Sequence, residues 1–194
     1  AIGDLAGSFY QGENGIAVGA NAGNTGQQNA AVSIGYAAGE EGQHQFAVAI
    51  GYCSGRYSQV SNSISIGTNS GYTGQGGNDG RSIAIGISSG QDGQQSDAIA
   101  LGTNAGQNVQ GANSVAVGTG AGQNGQRNSS VAIGYASAKD GQNDYSVSIG
   151  YYAGQTGQQA NSVAIGTQSG RFGQSDNSVA IGTSAGYTEQ GSNS

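Results

Sequence analysis

The chain has 194 residues, of which 39 are Gly and none is Pro, Met or Trp; only 8% are charged, and the formal net charge is −6. Its five cations, Arg56, Arg81, Arg127, Lys139 and Arg171, are scattered, which argues against nucleic-acid binding because phosphate neutralisation needs clustered charge. Glycine without a three-residue period and without Pro excludes collagen, no apolar run is long enough to insert in a bilayer, and the lone Cys53 excludes an intrachain disulfide.

A strand-like string closed by Gly runs through the whole chain. The closing glycines are Gly3, Gly19, Gly35, Gly51, Gly67, Gly86, Gly102, Gly118, Gly134, Gly150, Gly166 and Gly182; ten of the eleven intervals are 16 residues and one is 19. A fixed short period predicts a repeat architecture. β-Branched residues in strict columns are not what a disordered low-complexity chain would show.

Each string alternates apolar and small residues with period two, a β-strand pattern. The apolar positions run from Ile16/Val18, Val32/Ile34 and Val48/Ile50 to Val179/Ile181, and the expectation is that this face is buried and drives each rung. Between them lies Ala or Ser in every repeat (Ala17, Ser33, Ala49, and on to Ala180), a face suited to close packing against a second sheet or another chain. After the Gly, the chain turns through Thr or Tyr to a second small column, Ala6 to Ala185, and a corner Gly. Sixteen residues suit a thin coil of two short strands and two turns. The fold expected is therefore all-β: a parallel β-solenoid, a two-stranded β-roll of twelve rungs forming one domain over residues 1–194. At about 4.8 Å per rung it makes a rod roughly 57 Å long.

Gln fills one column in all twelve units: Gln11, Gln27, Gln43, Gln59, Gln75, Gln94, Gln110, Gln126, Gln142, Gln158, Gln174 and Gln190. Stacked at strand spacing, these amides can donate to one rung and accept from the next, forming a structural ladder. Three residues on, an Asn/Asp column (Asn14, Asn62, Asn78, Asp97, Asn113, Asn161, Asn177, Asn193) suits a turn, since these side chains bond their own turn backbone. The one irregularity, Gly76 to Arg81, holds three extra residues and reads as a loop bulging from a corner. Tyr36, Tyr52, Tyr135 and Tyr151 share the column after the closing Gly in adjacent pairs, and are candidate surface contacts for sugar faces or covers for backbone.

Candidate chemistry is sparse. The eleven carboxylates form no column, so neither a paired-acid site nor a metal-ligand cluster is expected, and no cofactor motif is present. His44 beside Glu40 and Glu41 reads as a solvated turn residue, Cys53 as filler in a column that carries Asn21, Asn69 and Asn104 elsewhere, and Asn128-Ser129-Ser130 as the single glycosylation sequon.

The string Asn161-Ser162-Val163-Ala164-Ile165-Gly166, repeated at Asn177 to Gly182 and nearly so at Asn113 to Gly118, resembles the head repeats of trimeric autotransporter adhesins (the YadA-like head). The related Ala-Ile-Gly-Tyr-x-Ala-Gly-Gln strings are similar to repetitive phage and viral fibre proteins. That resemblance implies a left-handed parallel β-roll, three copies of which associate side by side into an adhesive rod. The unit here is longer than that family's and adds the Gln column. The function expected is thus a non-enzymatic structural or adhesive rod: an excerpt of a longer fibre, extracellular, on a cell or virion surface. It would assemble with itself as a trimer or, through open end rungs, head to tail into a filament, and would meet a host-surface glycan or protein. The alternative is an ice-binding solenoid, for which the best Thr column (Thr68, Thr103, Thr119, Thr167, Thr183) is interrupted by Tyr and by Ile87.

Overall fold

A computed structural model describes residues 1–194 as a parallel β-solenoid with no helix. Six strands come first: β1 (Ile16–Val18), β2 (Val32–Ile34), β3 (Val48–Ile50), β4 (Ile64–Ile66), β5 (Ile83–Ile85) and β6 (Ile99–Leu101). Beyond them two series alternate: β7 (Asn108–Gln110), β8 (Val115–Val117), β9 (Asn124–Gln126), β10 (Val131–Ile133), β11 (Asp140–Gln142), β12 (Val147–Ile149), β13 (Thr156–Gln158), β14 (Val163–Ile165) and β15 (Val179–Ile181). The Val-Ala-Ile strings form one eleven-stranded parallel sheet, which a bridge from Ile2 to Val18 extends by one rung. The second sheet has continuous pairing only in β7, β9, β11 and β13, but single parallel bridges carry it from Phe9 through Thr25, Glu41, Tyr57, Thr73 and Asp92 to Asn108, and from Thr156 through Phe172 to Thr188. The coil of two short strands and two turns is the architecture the period predicts.

Stacking is not confined to the strands. Of 123 backbone–backbone hydrogen bonds, 100 lie outside the named strands, so the turns are laddered as fully as the sheets. Gly23 N–H to Ala38 C=O (2.9 Å), Gly55 to Ser70 (2.9 Å) and Asn104 to Ile87 (2.9 Å) are typical. The closing glycines stack carbonyl upon Cα: Gly118 has φ +122°, and a Cβ there would lie 2.7 Å from the Gly134 carbonyl oxygen. No L side chain fits that backbone or that gap.

The interior is polar and small. All ten Gln from Gln27 to Gln174 in the ladder column are buried, and they are the largest fully buried side chains in the molecule. Gln59 is representative. Its Nε2 donates to Val48 C=O (2.9 Å) across the coil, to Ser63 C=O (3.1 Å), and to Gln75 Oε1 (3.0 Å) on the next rung. Its own Oε1 accepts from Gln43 Nε2 (3.1 Å). Ten of the eleven neighbouring pairs from Gln11 to Gln190 are linked this way. Burying an amide costs free energy unless it is hydrogen-bonded, and here both ends are. The ladder expected from the sequence is present, and it fills the core instead of bracing a turn.

The apolar columns lie on the other side, against expectation. Every buried hydrophobic residue is Ala or Cys, while each Val, Ile and Leu of the eleven-stranded sheet is half-buried or exposed. Alternation assigns the middle residue of each strand (Ala17, Ser33, Ala49, Ala132, Ala164) inward, where it is fully or almost fully buried. The reason is width: a Gln reaching from one sheet already touches the carbonyls of the other, so only Ala, Ser or Gly fits opposite it. The small-residue face does pack, and its partner is the chain's own second sheet.

The insertion adds a detail to the sequence reading and corrects one column assignment. The inserted loop at this corner is anchored: Gly76 and Gly77 N–H both donate to Gln94 C=O (2.9 and 3.1 Å), and Gly80 C=O accepts from Asp97 N–H (3.1 Å). Only Asn78, Asp79 and Arg81 are exposed, the register Ile64 to Ile83 is kept, and Arg81 grips Asp97 through two 2.7 Å hydrogen bonds that hold its carboxyl below the usual range. Arg81, not Asn78, therefore continues the Asn/Asp column. That column is left-handed: Asn62, Arg81, Asp97, Asn113 and Asn161 have φ of 55° to 62°. Asn and Asp are favoured there because they tolerate this conformation.

One break in the ladder makes the account testable. Gln142 Oε1 is buried without a partner. It is the one ladder oxygen that the preceding Gln, Gln126, does not reach; on three other rungs a Ser ten residues earlier also donates to this oxygen, as Ser33 does to Gln43 at 2.5 Å and as Ser65 and Ser148 do to Gln75 and Gln158, whereas Gln142 has Ala132 there. Ala132→Ser should stabilise the fold by about 1 kcal/mol in thermal or chemical unfolding, and Ala132→Val should destabilise it by about 1–3 kcal/mol through overpacking. Gln59→Leu should cost about 2–4 kcal/mol, since it strands the amides above and below. Gln59→Glu should cost more at neutral pH. Burial raises the new carboxyl's folded pKa above its unfolded value, so the variant should regain stability as pH falls and lose it as pH rises through that window.

Candidate interaction surfaces

The columns that point outward define three surfaces of the rod. The first is the apolar sheet face, two unbroken columns from Ile16/Val18 to Val179/Ile181 with no charged residue within them. Exposures at the middle of the rod are modest (Ile85 38%, Ile133 37%), because neighbours above and below shield each side chain, yet nothing in the chain covers the face itself. At about 4.8 Å per rung, eleven strands give an apolar stripe roughly 48 Å long. Contiguous apolar patches of several hundred Å² on a single chain mark interaction sites.

The second surface is the Tyr column beside it. The structure brings the four predicted residues together as two stacks, Tyr36 on Tyr52 (centroids 5.3 Å, planes 14° apart) and Tyr135 on Tyr151 (5.4 Å, 17°), each ring about half exposed. The spacing follows from the rung, since in-register side chains repeat at close to the stacking distance of aromatic rings.

A third set escaped the sequence reading. Arg56 lies over Tyr57 (4.9 Å) and Tyr72 (5.8 Å) and pairs with Glu40; Arg171 lies over Tyr152 (4.8 Å), Phe172 (4.8 Å) and Tyr187 (5.6 Å). Each cation–π cluster combines a pair within one column, Arg56 with Tyr72 or Arg171 with Tyr187, with aromatic residues of other columns, so columns read one at a time did not reveal the whole cluster. The signal was available as Arg-Tyr at 56–57 and Arg-Phe at 171–172, each followed one rung on by Tyr72 or Tyr187. Between these clusters the same two columns carry half-buried amide ladders, Gln123 to Gln107 (2.8 Å) to Gln91 (3.1 Å), and Asn108 to Asn124 to Asp140 (both 2.7 Å).

The remaining candidates are placed as follows. Glu40 is engaged by Arg56, and Glu41 lies on the outer bridge column; His44 is half-buried in a turn, its backbone N–H bonded to Gln59 C=O (2.9 Å). Cys53 is buried at a left-handed corner with φ 52°. Asn128 of the sequon spends its Oδ1 on Ala112 N–H (2.9 Å), within the stacking of the corner. No group of three or more His, Cys, Asp or Glu could hold a metal ion, and no helix is long and apolar enough to cross a membrane. No family model, curated protein or solved structure matches this chain.

Proposed function

We propose that the chain is a rod segment of a structural or adhesive fibre on a cell or virion surface, without enzymatic activity, and that copies associate side by side through the apolar sheet face. The observation that carries this reading is the inverted burial. The chain places its Val, Ile and Leu outward along its entire length, although these are the side chains whose removal from water stabilises most. A second copy supplies the cover that the narrow coil cannot. Three copies arranged about an axis would close all such faces at once, in line with the resemblance of the Asn-Ser-Val-Ala-Ile-Gly strings to trimeric adhesin heads. Closed symmetry also leaves no apolar edge to recruit further chains. The outward Tyr, Arg and amide columns then remain available to a host-surface glycan or protein.

Ice binding is the second reading, favoured by the flat regularity of the stacked outer columns. Its weakness is that Tyr36, Tyr52, Ile87, Tyr135 and Tyr151 break the Thr column into short runs. Thermal hysteresis in the purified protein separates the two, being clear for ice binding and absent for the fibre.

Light scattering with sedimentation equilibrium tests the assembly. The intact chain should sediment as a trimer. The combined variant Val115→Lys, Ile133→Lys, Ile149→Lys should sediment as a monomer with unchanged far-ultraviolet circular dichroism, because these positions point away from the core. A monomeric parent, or a variant that still assembles fully, would contradict the proposal.

A further inference from the structure

Three grooves open on the rod, and the smallest of them is the one walled by aromatic rings. This groove, of about 190 Å³, opens across four rungs beside the Tyr135–Tyr151 stack. It exists because the column that carries Asn104, Ala136 and Tyr152 has Gly120 in one rung, which leaves a notch one side chain deep. Tyr135 forms one wall and Tyr152 another, their rings 5.5 Å apart and perpendicular. Tyr152 is held in place by Tyr151 (4.4 Å, edge to face) and by Arg171 over its ring (4.8 Å).

Part of the polar capacity at the groove is unspent. Lys139 makes neither an ion pair nor a side-chain hydrogen bond, and the nearest carboxylate in sequence, Asp140, accepts instead from Asn124 (2.7 Å). Gln155 accepts from Arg171 Nε (2.8 Å), leaving its NH₂ free to donate; Gln123 donates to Gln107 (2.8 Å), leaving its carbonyl free to accept. Arg171 also lacks a carboxylate partner and sits two rungs from Lys139 in the same column, about 10 Å along the axis. In a chain of net charge −6, three of the five cations form no ion pair, and two of those three flank this groove. The other Tyr stack is an internal contrast: at Tyr36–Tyr52, Arg56 is neutralised by Glu40, and no groove opens.

We propose that this groove binds a carboxylated sugar unit of an acidic polysaccharide lying along the rod. An aromatic face takes the apolar C–H face of a pyranose ring, free amide donors and acceptors take its hydroxyls, and Lys139 takes the carboxylate in a charge-assisted hydrogen bond. The volume admits one ring, and Arg171 meets the next acidic unit. The inference rests on the adhesive reading and names the ligand class at that surface.

Titration of the intact protein with hyaluronan oligosaccharides, followed by amide nuclear magnetic resonance shifts, tests it. The Gln123 and Gln155 side-chain amides and Lys139 should shift, while cello-oligosaccharides and acetate at the same concentration should leave them in place. Lys139→Gln should weaken binding at least about tenfold, the scale of a hydrogen bond to a charged group. Gly120→Asn should do the same by filling the notch, and it keeps the fold because Asn104 holds the same left-handed backbone (φ 56° against 65°). Tyr36→Ala should bind like the parent. No shift at the groove, equal binding of neutral sugar or acetate, or full binding by Lys139→Gln or Gly120→Asn would each overturn the inference. Light scattering on the same samples separates the two readings: an assembled protein that fails to bind refutes the glycan site alone, and a monomer that binds refutes the assembly alone.

Discussion

The fold depends on one buried side chain per rung, the ladder Gln. It spans the coil from the second sheet to the first, satisfies two backbone carbonyls of its own rung, and passes its remaining hydrogen bond to the Gln of the next. Its length sets the distance between the sheets, and that distance admits nothing larger than Ala or Ser opposite it. A conventional hydrophobic core is thereby excluded, and stability comes from the saturation of hydrogen bonds in strands and turns alike. Each such bond contributes only about 1 kcal/mol net, but the stack holds 123 of them between backbone groups over 194 residues. Nearest-neighbour stacking of this kind is how solenoids hold together without a globular interior.

The same constraint places the apolar residues. Strands alternate strictly, so once the Ala or Ser is inward the flanking Val and Ile must be outward. They shield one another along the column but meet no cover from their own chain. A rod built this way resembles half of a core, and its apolar face is where association would contribute most. Internal polar saturation and external apolar exposure are two consequences of one narrow cross-section.

Much of this was legible in the residues. The 16-residue spacing of the closing Gly gives the coil, its rung number and its two short strands. The constant Gln from Gln11 to Gln190 gives the ladder, and the pairs Tyr36/Tyr52 and Tyr135/Tyr151 give stacks, because equal spacing in sequence becomes vertical alignment in space. The inside and outside of the strand were not legible. Ile85 and Ala84 alternate equally well either way, and the usual preference for burying Ile favours the wrong side. The interior width decides the matter, and it depends on where the Gln carboxamide ends. Groups that join different columns, such as Arg171 with Tyr152 or Lys139 with Tyr135, were hidden for a different reason: a reading that takes each column alone does not compare it with its neighbours. The role of Arg81 was masked by the insertion, which shifted the alignment of Asn78.

Hydrogen–deuterium exchange of the Gln side-chain amides, resolved by nuclear magnetic resonance, tests the central claim most directly. The Nε2 protons of Gln59, Gln94 and Gln110 should persist as long as the slowest backbone amides, while those of the exposed Gln28, Gln45 and Gln95 exchange at the rate of free amides. Equally rapid exchange in both sets would mean that the ladder column faces water, and the interior described here could not exist.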